Sequence, residues 1–106
     1  MSDRVDPRLQ GIRRQVAEED VRFTLHAHQE MAEEDIALDE VLEVLGEAAI
    51  LEDYAEHRRG PCCLVSGATR NNRPLHVVCT VGSSPLIIIT VYERKPPKWI
   101  TPEERG

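Results

Sequence analysis

Hydrophobic residues recur at helical spacing in the first half of the chain and alternate with polar residues in much of the second half. Leu9, Ile12 and Val16 lie three and four residues apart, the spacing of one helix face. They follow Asp6-Pro7, a favourable helix start, because Asp can cap the first turn and Pro fits the first helical position. This pattern predicts a first helix from about Pro7 to Glu19.

A short alternating run from Val21 to Leu25 follows the first helix and predicts a short strand or extended segment. Thr24 can then cap a second helix, which ends near Glu34-Asp35. A third helix is predicted to begin at Leu38 and to end at Gly46, where a C-terminal cap is expected. The first half of the chain is therefore predicted to be mainly helical.

From Ala49 the hydrophobic period changes from helical to alternating. Turn-forming segments separate four predicted strands, which span residues 50–54, 61–67, 75–81 and 86–93. Helices followed by strands at hairpin spacing indicate an α+β fold, with N-terminal helices packed on one face of a curved antiparallel sheet of about four strands. The predicted divisions are a disordered N-terminus (1–6), a single domain (7–100) and a polar C-terminal tail (101–106).

Several short blocks resemble the domain of unknown function 4258 family. They are Phe23-Thr24-Leu25-His26-Ala27 with Met31, Ile36-Ala37-Leu38-Asp39-Glu40-Val41, Gly60-Pro61, Arg73-Pro74-Leu75-His76-Val77-Val78, Ile89-Thr90-Val91-Tyr92-Glu93 and Trp99. The resemblance covers about residues 20 to 100. Members of that family look like RelE-type and MqsR-type toxins of toxin–antitoxin pairs, which are small α+β ribonucleases or their relatives. The resemblance therefore implies a RelE-like fold, RNA or the ribosome as a target, and an antitoxin partner with a Cys-rich zinc-binding segment.

The chain departs from the family pattern at Glu30 and near Glu34, where the family often has Arg.

The two halves of the chain differ in net charge. Residues 1–53 carry five basic and fifteen acidic residues, whereas residues 54–106 carry eight basic and four acidic ones. A basic second half is compatible with a polyanion-binding side, and the acidic half with solvated helix surface. The overall charge of −6 alone argues against nucleic acid.

The odd number of cysteines, three, and the lack of a signal peptide favour a reducing, cytoplasmic location. Adjacent Cys62 and Cys63 point to opposite faces of a strand and are predicted not to share a routine disulfide or a metal. The longest apolar run, Leu86 to Ile89, is far too short to span a membrane. No Cys/His spacing typical of zinc and no phosphate-binding glycine loop is present, so neither a metal nor a cofactor is predicted.

Two histidines are the candidate catalytic residues for metal-free RNA cleavage, which needs a base for the ribose 2′-hydroxyl and an acid for the leaving oxygen. His26 lies in the first turn of the second helix and is the histidine of the family-like block. It is predicted to act as the base, or else to pack at the helix start. His76 is predicted to point away from the helices if Leu75, Val77 and Cys79 face them. It would then act as the acid, or be an ordinary cross-strand histidine.

Five further residues are candidates for binding the substrate. Arg58 and Arg59 in a hairpin loop, and Arg73 before the His76 strand, have the bidentate donors that phosphate requires, although loop arginines also serve solubility. Tyr92 could donate to phosphate or pack on the sheet. Lys98 belongs to a basic segment with Trp99, which could stack a base or close the core.

The leading hypothesis from the sequence is a toxin-like protein that acts as a metal-independent mRNA endoribonuclease or is an inactive relative. The alternative is a non-catalytic protein-interaction module of RelE-like fold, which binds a partner protein through the sheet or the basic tail. Glu30 and Glu34 favour this alternative, because they stand where cations would serve RNA. A small-molecule or metal binder is a third option for which no residue selects a ligand.

Overall fold

Three helices and five strands make up the part of the chain that the computed structural model describes, which is residues 6–54, 56 and 60–94. In chain order they are α1 (Pro7–Ala17), β1 (Val21–Phe23), α2 (Leu25–Glu34), α3 (Leu38–Glu47), β2 (Ala49–Tyr54), β3 (Cys62–Ala68), β4 (Pro74–Thr80) and β5 (Leu86–Glu93). The α+β class is therefore confirmed. No helix in these ranges is long and apolar enough to cross a membrane. The predictions for residues 1–5 and 101–106 lie outside the described residues.

The helix starts follow the capping chemistry of the sequence. The Asp6 carboxylate accepts a hydrogen bond from the Arg8 amide at 2.9 Å, and Pro7 occupies the first turn of α1. The Thr24 hydroxyl accepts from the Ala27 amide at 3.0 Å and so caps α2. The predicted cap at Gly46 is wrong, because α3 continues through Gly46 to Glu47.

The strands form one mixed sheet in the order β1-β5-β4-β3-β2. Strands β2 to β5 pair antiparallel, as predicted, whereas β1 pairs parallel with β5 through Val21↔Leu86 and Phe23↔Ile88. The expectation of about four antiparallel strands is therefore corrected to five strands in a mixed sheet. The short alternating run before α2 hydrogen-bonds to the last strand and becomes one edge of the sheet.

The helices pack on one face of this sheet and enclose the hydrophobic core. Leu75, Val77 and Cys79 alternate along β4 and are completely buried in a cluster with helical residues such as Ile12 and Leu45. The intervening β4 residues therefore point to the opposite face of the sheet. This confirms the condition under which His76 was predicted to point away from the helices.

The outer edge of β5 is covered partly by β1 and partly by α2. β1 ends at Phe23, which is opposite Ile88, so no strand among the described residues lies beside the second half of β5 on that side. α2 runs along this half instead. The carboxylate of Glu30 accepts a hydrogen bond from the Val91 amide at 2.9 Å, and that of Glu34 accepts from the Glu93 amide at 2.8 Å.

The spacing of the two glutamates suits the spacing of the two amides. Four residues of an α-helix rise about 6 Å, and two residues of a strand advance about 6.6–6.8 Å. An i, i+4 pair of carboxylates can therefore meet successive outward amides of a strand that runs alongside. The acidic first half was interpreted as solvated helix surface, and Glu30 departs from that interpretation, since its carboxylate lies against the backbone of β5.

We expect Glu30→Ala to lower the free energy of unfolding by about 1–3 kcal/mol, because it leaves a partly buried amide without its charged acceptor. Glu33→Ala is the matched control, since Glu33 is exposed on the same helix, and we expect it to change stability by at most about 0.5 kcal/mol. Urea denaturation gives both values. Hydrogen exchange at the Val91 amide should accelerate in Glu30→Ala only; equal exchange rates in the two variants would contradict this account of the edge.

Candidate functional site

His76 and Tyr92 form a pair on the face of the sheet that is turned away from the helices. They lie directly opposite each other on β4 and β5. The Nδ1 atom of His76 is 3.1 Å from the Tyr92 hydroxyl oxygen, and the two rings meet edge to face with centroids 5.2 Å apart. Both side chains are half-buried. The strand register thus holds two groups that can exchange a proton within hydrogen-bond distance.

The surroundings of the pair favour the neutral forms of both groups. Burial lowers the pKa of His76, and the positive charge of Arg94 lowers it further, while the Glu52 carboxylate opposes this. The Nε2 atom of His76 is buried and has no hydrogen-bond partner among the described residues. Burial also raises the pKa of Tyr92, with smaller contributions from Glu52 and Glu30. Near pH 7 the site therefore presents a neutral imidazole beside a protonated phenol.

Other polar side chains share this face. Ser66 lies opposite His76 on β3, so Ser66, His76 and Tyr92 form one row across three strands. In the neighbouring rows, the Tyr54 hydroxyl donates a 2.6 Å hydrogen bond to the Glu52 carboxylate, which raises the pKa of Tyr54 to about 12. Ser66, Tyr54 and Glu52 are not among the site residues predicted from the sequence. The alternation along β2 and β3 was the signal that could have placed them on the face of His76.

His26 lies elsewhere, in the first turn of α2. Its side chain is 63% exposed, and its Nε2 atom is 3.2 Å from Glu30 Oε2. The other oxygen of Glu30 accepts from the Val91 amide, so this carboxylate connects His26 to the edge of β5. No hydrogen bond or ion pair among the described residues joins His26 to His76, and β5 lies between α2 and β4. The structure thus does not bring the two predicted catalytic histidines together.

Arg73 occupies a position between several elements of the fold. Its guanidinium donates to the Glu93 and Glu40 carboxylates, each at 3.0 Å, to the Asp35 carbonyl at 2.8 Å and to the Glu34 carbonyl. These acceptors tie the end of α2 to α3 and β5. Phosphate would therefore have to compete with two carboxylates for this cation. Its predicted role in binding phosphate stays a prediction.

The remaining substrate-binding candidates, Arg58, Arg59 and Lys98, lie outside the described residues. Arg94 is the described cation that follows Tyr92 along the chain, and its side chain is exposed. Its charge acts on His76, as the lowered pKa of that residue indicates. No group of three or more His, Cys, Asp or Glu side chains that could hold a metal ion occurs within the described ranges.

A concave surface lies on the helical side of the molecule, apart from His76 and Tyr92. This apolar groove has a volume of about 370 Å³ and lies between α1, β1, α2 and α3. Its lining consists of five apolar side chains with two polar ones: Val16, Val21, Phe23, Leu38, Leu42, Glu19 and His28. The His28 ring packs on Phe23 with centroids 5.6 Å apart, and Leu38 is 50% exposed. This groove is a candidate contact surface, although its apolar area is smaller than that of most interaction patches.

We expect acid to destabilise the protein partly through His76. Because burial lowers its pKa below the ordinary value of 6.5, the unfolded chain takes up a proton where the native protein does not. The stability associated with neutral His76 is complete above about pH 6.5 and declines as the pH falls below that value. Between about pH 7.5 and about pH 5.5, His76→Gln should lose less free energy of unfolding than the wild type. Equal losses would show that His76 is not held neutral.

Two comparisons with known proteins find no counterpart, since neither a curated protein nor a solved structure matches the chain. A comparison with protein families gives a match. The profile described as "Domain of unknown function (DUF4258)" matches residues 23–93, from the end of β1 to the end of β5. This segment contains His26, Arg73, His76 and Tyr92. Because it covers more than half of the chain, the protein belongs to the DUF4258 family.

Proposed function

We propose that this protein is a toxin-like member of a toxin–antitoxin pair that binds RNA on the sheet face of His76 and Tyr92 and cleaves mRNA without a metal ion. The observation that carries the proposal is the hydrogen-bonded pair of a neutral histidine and a protonated tyrosine, with the Arg94 charge nearby. The relation to RelE-type and MqsR-type toxins, a RelE-like fold and a cytoplasmic location belong to this proposal. They rest on the resemblance of the sequence blocks to DUF4258 members.

The geometry suggests a different division of roles from the one inferred from sequence. A histidine with a lowered pKa is neutral at pH 7 and suits the base that accepts the proton of the ribose 2′-hydroxyl. In this scheme Nδ1 donates to the Tyr92 oxygen, and Nε2 is the accepting atom once RNA binding uncovers it. The oxygen then attacks phosphorus, and the bond to the 5′-oxygen breaks to leave a cyclic 2′,3′-phosphate. The Tyr92 hydroxyl, which keeps its proton, can donate a hydrogen bond to the phosphate, and Arg94 can offset the charge that develops. His26 lies on α2 and does not reach this face, so in this scheme a water molecule gives the proton that the leaving 5′-oxygen needs.

RNA cleavage would be tested with purified protein and an RNA oligonucleotide in the presence of a metal chelator. We expect the wild type to produce cyclic 2′,3′-phosphate ends, and His76→Ala to lower the rate by about 10²–10⁴-fold, as expected for loss of a general base. Tyr92→Phe should lower the rate less, because it removes one hydrogen bond. His28→Ala is the control, since His28 is exposed on α2 and its ring packs on Phe23. A folded wild type that cuts no RNA and does not slow growth when expressed would overturn the proposal.

A second candidate function is a non-catalytic module that binds a partner protein, and the apolar groove favours it. Glu19 lines the groove and Asp39 is adjacent to Leu38 in the chain. The first half of the chain is also strongly acidic. The groove therefore fits a partner segment whose apolar side chain is flanked by Lys or Arg. In a toxin–antitoxin pair, this partner would be the antitoxin.

Partner binding would be measured by calorimetry with the product of an adjacent short gene that encodes a Cys-x-x-Cys protein. We expect Leu38→Glu to weaken binding by about tenfold or more, because it places a charge in the apolar groove. Leu51→Glu is the matched control, since Leu51 is 53% exposed and lies on the far edge strand β2. Equal affinities of the two variants would exclude the groove as the binding site.

A further inference from the structure

Two of the three cysteines face each other across neighbouring strands. Cys63 on β3 lies directly opposite Cys79 on β4, and both side chains are completely buried on the helical face of the sheet. Directly opposed residues in an antiparallel pair have Cα atoms about 4.5–5.5 Å apart, and disulfides span Cα distances of about 4.4–6.8 Å. The two side chains therefore lie on neighbouring strands and on the same face of the sheet.

We propose that Cys63 and Cys79 are a redox modification site, which hydrogen peroxide converts into a disulfide between β3 and β4. The strand register carries this inference, because directly opposed residues have Cα atoms within the range that a disulfide spans. Both cysteines are free thiols in the structure. The site is separate from the proposed RNA-cleaving face, since His76 points to the other side of β4.

The two thiols are not equivalent. The hydrogen bond from Cys79 lowers the pKa of Cys63, and the positive charge of Arg8 lowers it further, although burial opposes both. The same hydrogen bond and burial raise the pKa of Cys79. Cys63 is therefore the thiol that attacks the oxidant, and Cys79 keeps its proton until the second step.

A group of ion pairs joins α1 to β2 beside this site. Asp53 lies opposite Cys63 on β2, and the Arg8 guanidinium donates to the carboxylates of both Asp53 and Asp6. The first turn of α1 is thus attached to β2 in the strand row that contains the thiols. Because the ends of helices open locally at low free-energy cost, opening of this turn can admit a small oxidant such as hydrogen peroxide.

The oxidation proceeds in two steps, through a sulfenic acid on Cys63 to the disulfide. The Cys63 thiolate attacks one oxygen of hydrogen peroxide, the O–O bond breaks, and the leaving hydroxide takes a proton and departs as water. The Cys79 sulfur then attacks the sulfenic acid of Cys63, the S–O bond breaks, and the Cys79 proton leaves with the hydroxyl group as a second water. Two thiols lose two electrons in total, and one peroxide is reduced to two waters.

Cys62 provides an internal control. It is adjacent to Cys63 but points to the opposite face of β3, where it lies opposite Thr80 and Tyr54. A disulfide between Cys62 and Cys79 would require β3 to turn over. Cys62→Ser should therefore leave the oxidation unchanged, whereas Cys63→Ser and Cys79→Ser should abolish it.

The test treats the reduced full-length chain with a small excess of hydrogen peroxide and follows the mass and the number of titratable thiols. We expect the intact mass to fall by about 2 Da through loss of two hydrogens, and the three thiols to fall to one. Trypsin cleaves after Arg59, Arg70 and Arg94, so the peptides 60–70 and 71–94 should be joined. Cys62→Ser should give the same joined peptides, which assigns the bond even if the other two variants fail to fold.

The rate of disulfide formation gives a second readout, because it depends on access of the oxidant through α1. Asp53→Asn removes an ion pair of Arg8 and also a negative charge beside Cys63, so it should accelerate disulfide formation several-fold. The proposal is overturned if the wild type gains oxygen on one cysteine without losing two thiols. The proposal is equally overturned if the wild type forms only intermolecular disulfides, or if Cys62→Ser prevents the cross-link.

Discussion

The fold depends on how the backbone amides along one edge of β5 find hydrogen-bond acceptors. β1 is only three residues long and covers the first part of that edge, while the rest is closed by the carboxylates of Glu30 and Glu34 on α2. An exposed strand edge invites pairing with other chains, and proteins cover it with charges, bulges or helices. Here a helix covers the edge, and its side chains accept from the strand's own amides. This contact fixes the position of α2 along β5, and with it the position of Tyr92 and its partner His76 on the far side.

Arg73 completes this arrangement. Its guanidinium holds the last carbonyl groups of α2 and the carboxylates of Glu40 and Glu93, so the end of α2 is joined to α3 and to the end of β5. A cation at the C-terminal end of a helix is also favoured by the helix dipole. In the geometry seen here, Glu30 and Glu34 serve the backbone of β5. The presence of acidic rather than basic residues at these two positions therefore has a structural reason.

The features that the sequence predicted well are those that depend on neighbouring residues. The caps at Asp6 and Thr24 involve partners two or three residues away, and the orientation of His76 follows from alternation along a single strand. The parallel pairing of β1 was missed because its partner in β5 is about 65 residues away. The role of Glu30 was missed for the same reason, since its backbone partner is 61 residues further along the chain. The available signal was the difference in length between β1 and β5, because a short strand leaves part of the edge of a long neighbour uncovered.

The proposed function places RNA on the sheet face of His76, Tyr92 and Arg94, and the alternative places a protein partner in the apolar groove. Nuclear magnetic resonance with a 2′-O-methyl RNA oligonucleotide distinguishes them most directly, because that RNA binds without being cleaved. The account predicts that the signals of His76, Tyr92 and Ser66 shift on titration while those of Phe23, His28 and Leu38 do not. Shifts confined to the groove residues, or no shifts at all, would contradict it.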